Sequence, residues 1–360
     1  MNDSFYMKLA LDLARGTQGQ TAPNPVVGAV LVKDGQIIGM GAHLRAGEPH
    51  AEVHAIQMAG DQAKDATLYV TLEPCSHYGK TPPCSDLVIK TGIKKVVVAA
   101  TDPNPQVAGT GIERMKKAGI EVVVSLLQEE ARELNKIFFY NIQTGLPYVT
   151  LKSATSLDGK TATVTGESKW ITGEESRADV HHFRHQHDGI LVGVNTVLKD
   201  NPSLTTRLAN GGKNPIRIIL DTHLRTPLDA TVVIDKEAPT WVVAGADVDE
   251  AHVKEFSERG VDVIKLESQK ISIREVLTVL GKRGITSLFV EGGAEVHGSF
   301  LKESAFQQII TYIAPKLIGG KNAHVSFGGQ GIEHISEAVS LKIIQVDQIG
   351  SDIRIIAEPM

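Results

Sequence analysis

Cysteine is almost missing from this sequence. Only two occur in 360 residues, Cys75 and Cys84, both in the stretch TLEPCSHYGKTPPC. No apolar run approaches the roughly 20 residues needed to cross a bilayer. Basic charge is not in excess: the net charge of −5 offers nucleic acid no basic footprint. The basic pairs Lys94-Lys95 and Lys116-Lys117 read as solvated surface. The opening MNDSFYMKLALDLARG has no basic leader and no cleavage site. Its Tyr6, Leu9 and Leu13 recur at helical spacing, which predicts an amphipathic helix. A cytoplasmic protein is expected, with no membrane and no nucleic acid among its partners. That compartment disfavours a structural disulfide, so the two thiols read as metal ligands or catalytic groups.

What is present is an alternation of strand and helix too long for one core, so two domains are expected. NPVVGAVLVKDGQIIGMGAH reads as two strands around Lys33-Asp34-Gly35, HAEVHAIQMAG as a helix ending at Gly60, and TLYVTL, KKVVVAA and IEVVVS as strands. CSDLVIKTG and GTGIERMKKAG read as helices, and Glu129 to Tyr140 as one closing helix. This is an α/β layer with helices on both faces of a sheet. Gly145 and Pro147 mark a boundary, giving domains 1–145 and 146–360. The second half repeats the alternation through PYVTLKSATS, GILVGVNTV, PIRIILD, TWVVAG, VDVIKL, SLFVEGG, QIITYIAPKLIG and SDIRIIAEP.

His50-Ala51-Glu52 opens a predicted helix, a strand follows, and Pro74-Cys75 and Cys84 come next. His-x-Glu followed by Pro-Cys and a further Cys is the signature of zinc nucleobase deaminases. One imidazole and two thiolates hold Zn²⁺ and leave a fourth position for water, whose pKa the metal lowers to roughly 7. Glu52 would shuttle a proton to the leaving amine without binding the metal. His54, one helical turn from His50, reads as a core or surface residue.

In nucleoside and transfer-RNA deaminases two residues separate the cysteines; here SHYGKTPP intervenes. TAPNPVVGAV, GAH, HAEVHA, TLEPCSHYGKTPPC and DPNPQVAGTG together resemble the bifunctional riboflavin-biosynthesis deaminase/reductase family, and TLKSATSLDGK, SKWIT, LVGVNTVLKDNPSLTTR, LFVEGGAEVHGSF and APKLIGG extend the resemblance over the whole chain. It implies a cytidine-deaminase-like α/β/α domain followed by a dihydrofolate-reductase-like α/β domain, which successively deaminate and reduce a small pyrimidine ribose-phosphate substrate. It also implies deaminase substrate contacts at Asn24, His43, His77 and Lys80. In the second domain it implies substrate contacts at Ser168, Arg184, Leu204, Arg207 and Glu291. NADPH contacts follow at Ala154, Trp170, Thr196, Asp200, Thr222 and the run Gly293, Ala294, Glu295, Val296, His297, Gly298, Ser299.

The residues themselves say less about the second domain. An apolar strand ending in Glu291, then Gly292-Gly293 and a helix, suits a pyrophosphate, but it serves equally as a tight connection. Arg184 and Arg207 suit a phosphate. Lys152, on the strand entering the site, is a candidate catalytic charge or proton donor. HHFRHQHD, residues 181–188, places His181 and His185 on one helical face, yet no third and fourth metal ligands are evident beside them. A nucleoside or transfer-RNA deaminase and a catalytically dead scaffold are the rival readings. The insert argues against the first and the intact His50, Glu52, Cys75 and Cys84 against the second. Folds of this kind commonly associate, so a homo-oligomer is expected.

Overall fold

The computed structural model describes residues 2–78, 82–104 and 108–360. Lys80 therefore lies outside the described residues. The chain divides into two compact units, Met1–Gly145 and Leu146–Met360.

The first unit runs α1 (Asp3–Arg15), β1 (Gly28–Lys33), β2 (Gln36–Ala42), α2 (Ala51–Ala59), β3 (Thr67–Leu72), α3 (Cys84–Thr91), β4 (Lys95–Ala100), α4 (Thr110–Lys117), β5 (Glu121–Val124), α5 (Gln128–Leu134) and α6 (Lys136–Thr144). The sheet order is β2-β1-β3-β4-β5. β1 is antiparallel to both neighbours, and β3, β4 and β5 are parallel. Successive strand residues point to opposite faces, and both faces are buried. Ala29 and Leu31 join Leu68, Val70, Val96 and Val98 beneath α2 and α3. Val30 and Val32 join Tyr69, Val97 and Ala99 beneath α1 and α5. A Cβ at Gly41 would lie 2.3 Å from the Ala51 carbonyl oxygen. That close approach sets the first turn of α2 directly on β2, and the first turn carries Glu52.

The single helix expected over 129–140 is two helices broken at Asn135, which has φ −110° and ψ 20°. Its buried side chain accepts from the Val26 N–H and donates to the Val26 carbonyl, both at 2.9 Å. An amide that pairs with extended backbone in this way competes with helix continuation.

The second unit runs β6 (Tyr148–Ser156), α7 (Glu174–Gln186), β7 (Gly189–Gly193), α8 (Val194–Asp200), β8 (Ile216–Leu220), α9 (Thr231–Ile234), β9 (Thr240–Ala244), α10 (Glu250–Glu258), β10 (Asp262–Lys265), α11 (Ile273–Lys282), β11 (Ser287–Gly292), α12 (Ala294–Lys302), β12 (Gln308–Ala314), β13 (Leu341–Ile349) and β14 (Asp352–Pro359). Its order is β10-β9-β8-β7-β11-β6-β12-β14-β13. All strands from β10 to β12 are parallel, and β14 and β13 close one edge antiparallel. Cores lie on both faces: Leu191, Ile218 and Val243 point to one, Ile190, Val192 and Val242 to the other. The chain moves outward from β7 to β10, then returns to insert β11 between β7 and β6. This reversal is a topological switch point, and open α/β sheets bind ligands beyond the carboxyl ends of the strands at such points. β13 was not among the expected strands. Its faces are largely exposed, so it lacks the buried apolar face that makes a strand legible. Among the described residues no helix is long and apolar enough to cross a membrane.

Candidate active sites

The turn into α2 and the turn into α3 build the first site. His50 is the N-cap of α2, with extended φ −77° and ψ 167° and no capping side chain of its own. Its ring is thus free to turn toward Cys84, the first residue of α3, and toward Cys75, which follows β3. His50 Nδ1 lies 3.7 Å from Cys75 Sγ and 3.3 Å from Cys84 Sγ. The three donor atoms all lie within 4.8 Å of one another. Zinc bonds of about 2.0–2.3 Å at a tetrahedral centre put such donors roughly 3.5–3.8 Å apart, so the set fits a zinc ion.

The protonation chemistry agrees. The Cys84 backbone N–H donates to Cys75 Sγ at 3.3 Å. Hydrogen bonding with Cys84 pulls the Cys75 thiol down to about 4 against the opposing effect of burial, and His50 assists. The same contact, followed by burial, pushes the Cys84 thiol up. A pair that gives up one proton readily and holds the other against a neighbouring negative charge suits a divalent cation. Hydrogen bonding to Cys75 raises the His50 pKa, with burial opposing it.

Beside this cluster is a cavity of about 400 Å³. Its walls bring together Asn24, His43, His50, Glu52, Cys75 and His77. Glu52 is 2% exposed. Burial pushes its carboxyl up to about 7, with the His50 charge pulling the other way. His43 Nδ1 lies 3.2 Å from the Pro49 carbonyl and Nε2 lies 3.1 Å from Asn24 Nδ2. A carbonyl only accepts, so Nδ1 carries the proton and Nε2 accepts from Asn24. Burial lowers the His43 pKa, which keeps that neutral tautomer.

Sequence reasoning missed part of this wall. Asp102, Asn104, Phe138 and Ile142 also line the cavity. Glu73, 4% exposed, anchors the Asp102 side of it. Its carboxylate accepts from the backbone N–H groups of Asp102, Gly109, Gly111 and Ile112 at 2.9–3.3 Å. The available signal was an acid immediately before Pro-Cys, followed by Asp-Pro-Asn at the end of the next strand.

The second site lies at the carboxyl ends of β6, β11 and β7. Leu151 and Val290 are register partners on parallel β6 and β11, so the next residues, Lys152 and Glu291, project side by side. Arg184 of α7 closes on Glu291 with both arms of its fork, Nε to Oε1 at 2.5 Å and Nη2 to Oε2 at 2.9 Å. Its third arm donates to the Thr205 carbonyl at 2.7 Å. Burial opposes ionisation of Glu291, but Arg184, Lys152 and His181 outweigh it and hold the carboxyl at about 2. Burial lowers the Lys152 pKa, with Glu291 opposing. This departs from the expectation that Arg184 meets a phosphate bidentately, because its fork is already engaged. Arg207 is the more available cation: it is exposed, with one long hydrogen bond, Nη1 to Thr205 Oγ1 at 3.4 Å.

Next to this pair, Gly292 and Gly293 take φ +138° and +83°, conformations that need glycine. Gly293 caps α12 without a side-chain hydrogen bond, so its first-turn amides have no capping side chain. An ideal Cβ at Gly293 would stand 3.8 Å from Thr196 Oγ1, so Thr196 of α8 shares that rim. Ala154 and Ser168 are half-buried. Trp170 is 62% exposed with Arg177 stacked 4.4 Å from its ring centre. Asp200 is exposed at the end of α8, Ala294 and Val296 are half-buried, and Glu295 is exposed. The Thr222 carbonyl accepts from Gly245 N–H at 3.1 Å. Leu204 is buried at φ +52°. The His297 ring turns into the core between the Ser326 and Val290 carbonyls, at 3.1 and 3.3 Å. Gly298 packs against Gly328, and the Ser299 hydroxyl donates to the Glu295 carbonyl. Residues 297–299 lie within α12, and the His297 and Ser299 side chains are engaged by the protein's own carbonyls. Among the described residues, HHFRHQHD forms no metal-ligand cluster.

A family model for the RibD C-terminal domain matches residues 147–355, and one for the cytidine and deoxycytidylate deaminase zinc-binding region matches residues 1–100. The riboflavin biosynthesis protein RibD of Bacillus amyloliquefaciens is 54% identical over 99% of this chain and 96% of that protein. The chain belongs to the RibD family. Among solved structures, Acinetobacter baumannii RibD superposes with a TM-score of 0.91 at 40% identity, covering 99% of each chain. A Thermotoga maritima diaminohydroxyphosphoribosylaminopyrimidine deaminase/5-amino-6-(5-phosphoribosylamino)uracil reductase gives 0.88 at 37% identity, over 99% of this chain and 98% of that one. This RibD-family chain is a bifunctional deaminase and reductase of riboflavin biosynthesis, with a zinc-binding deaminase domain and a reductase domain of the kind that uses a nicotinamide cofactor.

Proposed function

We propose that residues 1–145 deaminate a diaminohydroxypyrimidinone carrying a ribosylamino phosphate, and that residues 146–360 reduce the ribose of the deaminated product to a ribityl chain with NADPH. The observation that carries this reading is the convergence of His50, Cys75, Cys84 and Glu52 on one cavity. Zinc held by His50, Cys75 and Cys84 supplies Lewis acidity to a water nucleophile when bound. Glu52, with its carboxyl near 7, holds a proton at neutral pH and hands it to the departing amine. Asn24, with its amide N–H on His43, keeps Oδ1 for the pyrimidine, and His77 and Lys80 are assigned to the ribose phosphate. In the reductase, the cofactor supplies hydride. Lys152 donates a proton as the sugar ring opens, and Glu291 beside it keeps the ammonium charged until then. Ser168, Leu204 and Arg207 bind the substrate, with Arg184 acting through Glu291. Ala154, Trp170, Thr196, Asp200, Thr222 and residues 293–299 hold NADPH, and Arg225 near Asn195 is the candidate for its extra phosphate. The test is a set of three measurements on one preparation: zinc content, ammonia release from the diamino substrate, and oxidation of NADPH or NADH with the deaminated one. Equal kcat/KM for NADH and NADPH would remove the NADPH assignment.

We also propose a cytoplasmic location, which suits two free thiols, and a homo-oligomer. β13 is an edge strand with Leu341, Ile343 and Val346 at 40%, 60% and 58% exposure. Apolar edges of this kind are ordinarily covered, and a second copy is the cover proposed. Ile343→Lys with Val346→Lys is expected to reduce the mass seen by light scattering to that of one chain. A mass of one chain for the unmodified protein would overturn the assignment.

A further inference from the structure

The histidines of α7 carry no step of the chemistry above, yet His181 and His185 have specific partners. His181, Arg184 and His185 stand at i, i+3 and i+4, on one helical face. That face meets residues 201–215, which join α8 to β8 without regular secondary structure. His181 Nδ1 accepts from the Arg207 backbone N–H at 3.2 Å. Arg184 Nη1 donates to the Thr205 carbonyl at 2.7 Å. His185 Nδ1 accepts from the Lys213 backbone N–H at 2.9 Å, and Lys213 Nζ is held in turn by Asp188 at 3.0 Å.

We propose that His181, Arg184 and His185 form a three-point clamp that presets the 201–215 segment, so that Arg207 is presented to the substrate phosphate in a fixed position. This rests on the reading of Arg207 as a phosphate contact. The clamp holds the main chain on both sides of Arg207 and leaves its guanidinium exposed with one long contact of its own. A segment without ladder hydrogen bonds would otherwise lose conformational entropy on binding, and presetting removes that cost from the affinity. The histidines must accept, so both must be neutral at Nδ1. Burial, then the charges of Arg184 and Arg207, hold His181 down to about 4, against Glu291 and the Thr205 carbonyl. Burial, then Lys213 and His182, lower His185. His181 and His185 are therefore positioning residues, and the histidine count of this helix is explained without a metal.

The test uses the full chain and the deaminated pyrimidine ribose phosphate. His181→Leu removes the acceptor, and His181→Asn returns an acceptor oxygen close to the Nδ1 position. His181→Leu is expected to raise KM for the phosphorylated substrate roughly tenfold, the effect of one buried hydrogen bond. The kcat and the KM for the cofactor should stay within about twofold. His181→Asn is expected to recover most of the loss. In an Arg207→Ala background, His181→Leu is expected to add nothing, because both act on one contact. Additive effects, or an unchanged KM in His181→Leu while Arg207→Ala raises it, would overturn the clamp alone. An unchanged KM in Arg207→Ala would remove the phosphate reading first and the clamp with it. If His181→Leu does not fold, His185→Leu releases the Lys213 end and is read the same way.

Discussion

Glu52→Gln is expected to leave the chain folded and zinc-loaded while deamination falls by a factor on the order of 10³–10⁴, the size of a lost general acid–base catalyst. The amide keeps the size and helix position of Glu52 but cannot hold and release a proton. Reduction of substrate supplied already deaminated should continue at the unmodified rate, because no proposed step of hydride transfer uses a residue of 1–145. A second readout isolates the cause. Burial raises the Glu52 carboxyl from its ordinary 4.5 to about 7. In the chelated protein, stability associated with this group is therefore fully present below about pH 4.5 and is lost as pH rises through 7. The shift corresponds to about 3 kcal/mol. Glu52→Gln should flatten that part of the profile of melting temperature against pH. Ammonia release at the unmodified rate would remove Glu52 from the chemistry. Loss of both activities in a folded, zinc-loaded protein would show that the two reactions share one site.

The first site was legible because its chemistry sits in a few residues close to element ends. His50, Glu52, Cys75 and Cys84 each lie at or beside a helix start or strand end, and strand–helix alternation is what sequence periodicity reports best. Glu73 was not legible. Its position before Pro-Cys was the only local signal, and its role depends on four amides that the fold brings back from residues 102–112. Asn135 was hidden for a similar reason, since its partner is Val26, 109 positions away. The helix break there follows from a tertiary hydrogen bond that outweighs local propensity.

In the second unit, family resemblance named the residues but could not say how their side chains are engaged. Arg184 illustrates the gap. An arginine near a phosphate site reads as a phosphate ligand, yet here the neighbouring Glu291 takes the fork. That carboxylate is half-buried, and an unpaired buried charge costs more than the pair gains. The spacing of the histidines beside Arg184 allows them to be read as metal ligands. Their actual partners are backbone N–H groups of a segment more than 20 residues further along the chain, a relation that helical spacing cannot express.

Loss of one thiol should be as damaging to deamination as loss of Glu52, by a different route. Cys84→Ala and Cys84→Ser are each expected to abolish stoichiometric zinc binding and with it deamination, by about 10⁴-fold or more, leaving reduction unchanged. A neutral hydroxyl or methyl cannot replace a thiolate among three ligands, and His50 with Cys75 alone is a two-donor site. The two substitutions should differ in stability. Cys84 is 3% exposed, and its Sγ lies 3.3 Å from His50 Nδ1. A serine hydroxyl keeps a polar partner at that place, whereas alanine removes it and leaves a small void. Cys84→Ser should therefore melt above Cys84→Ala, with both compared after chelation so that metal binding does not enter the difference. Zinc per chain after desalting, ammonia release and NADPH oxidation are then measured on the same preparations. Full zinc in both variants would overturn the assignment of Cys84 as a ligand. Zinc loss with deamination intact would separate the metal from the reaction.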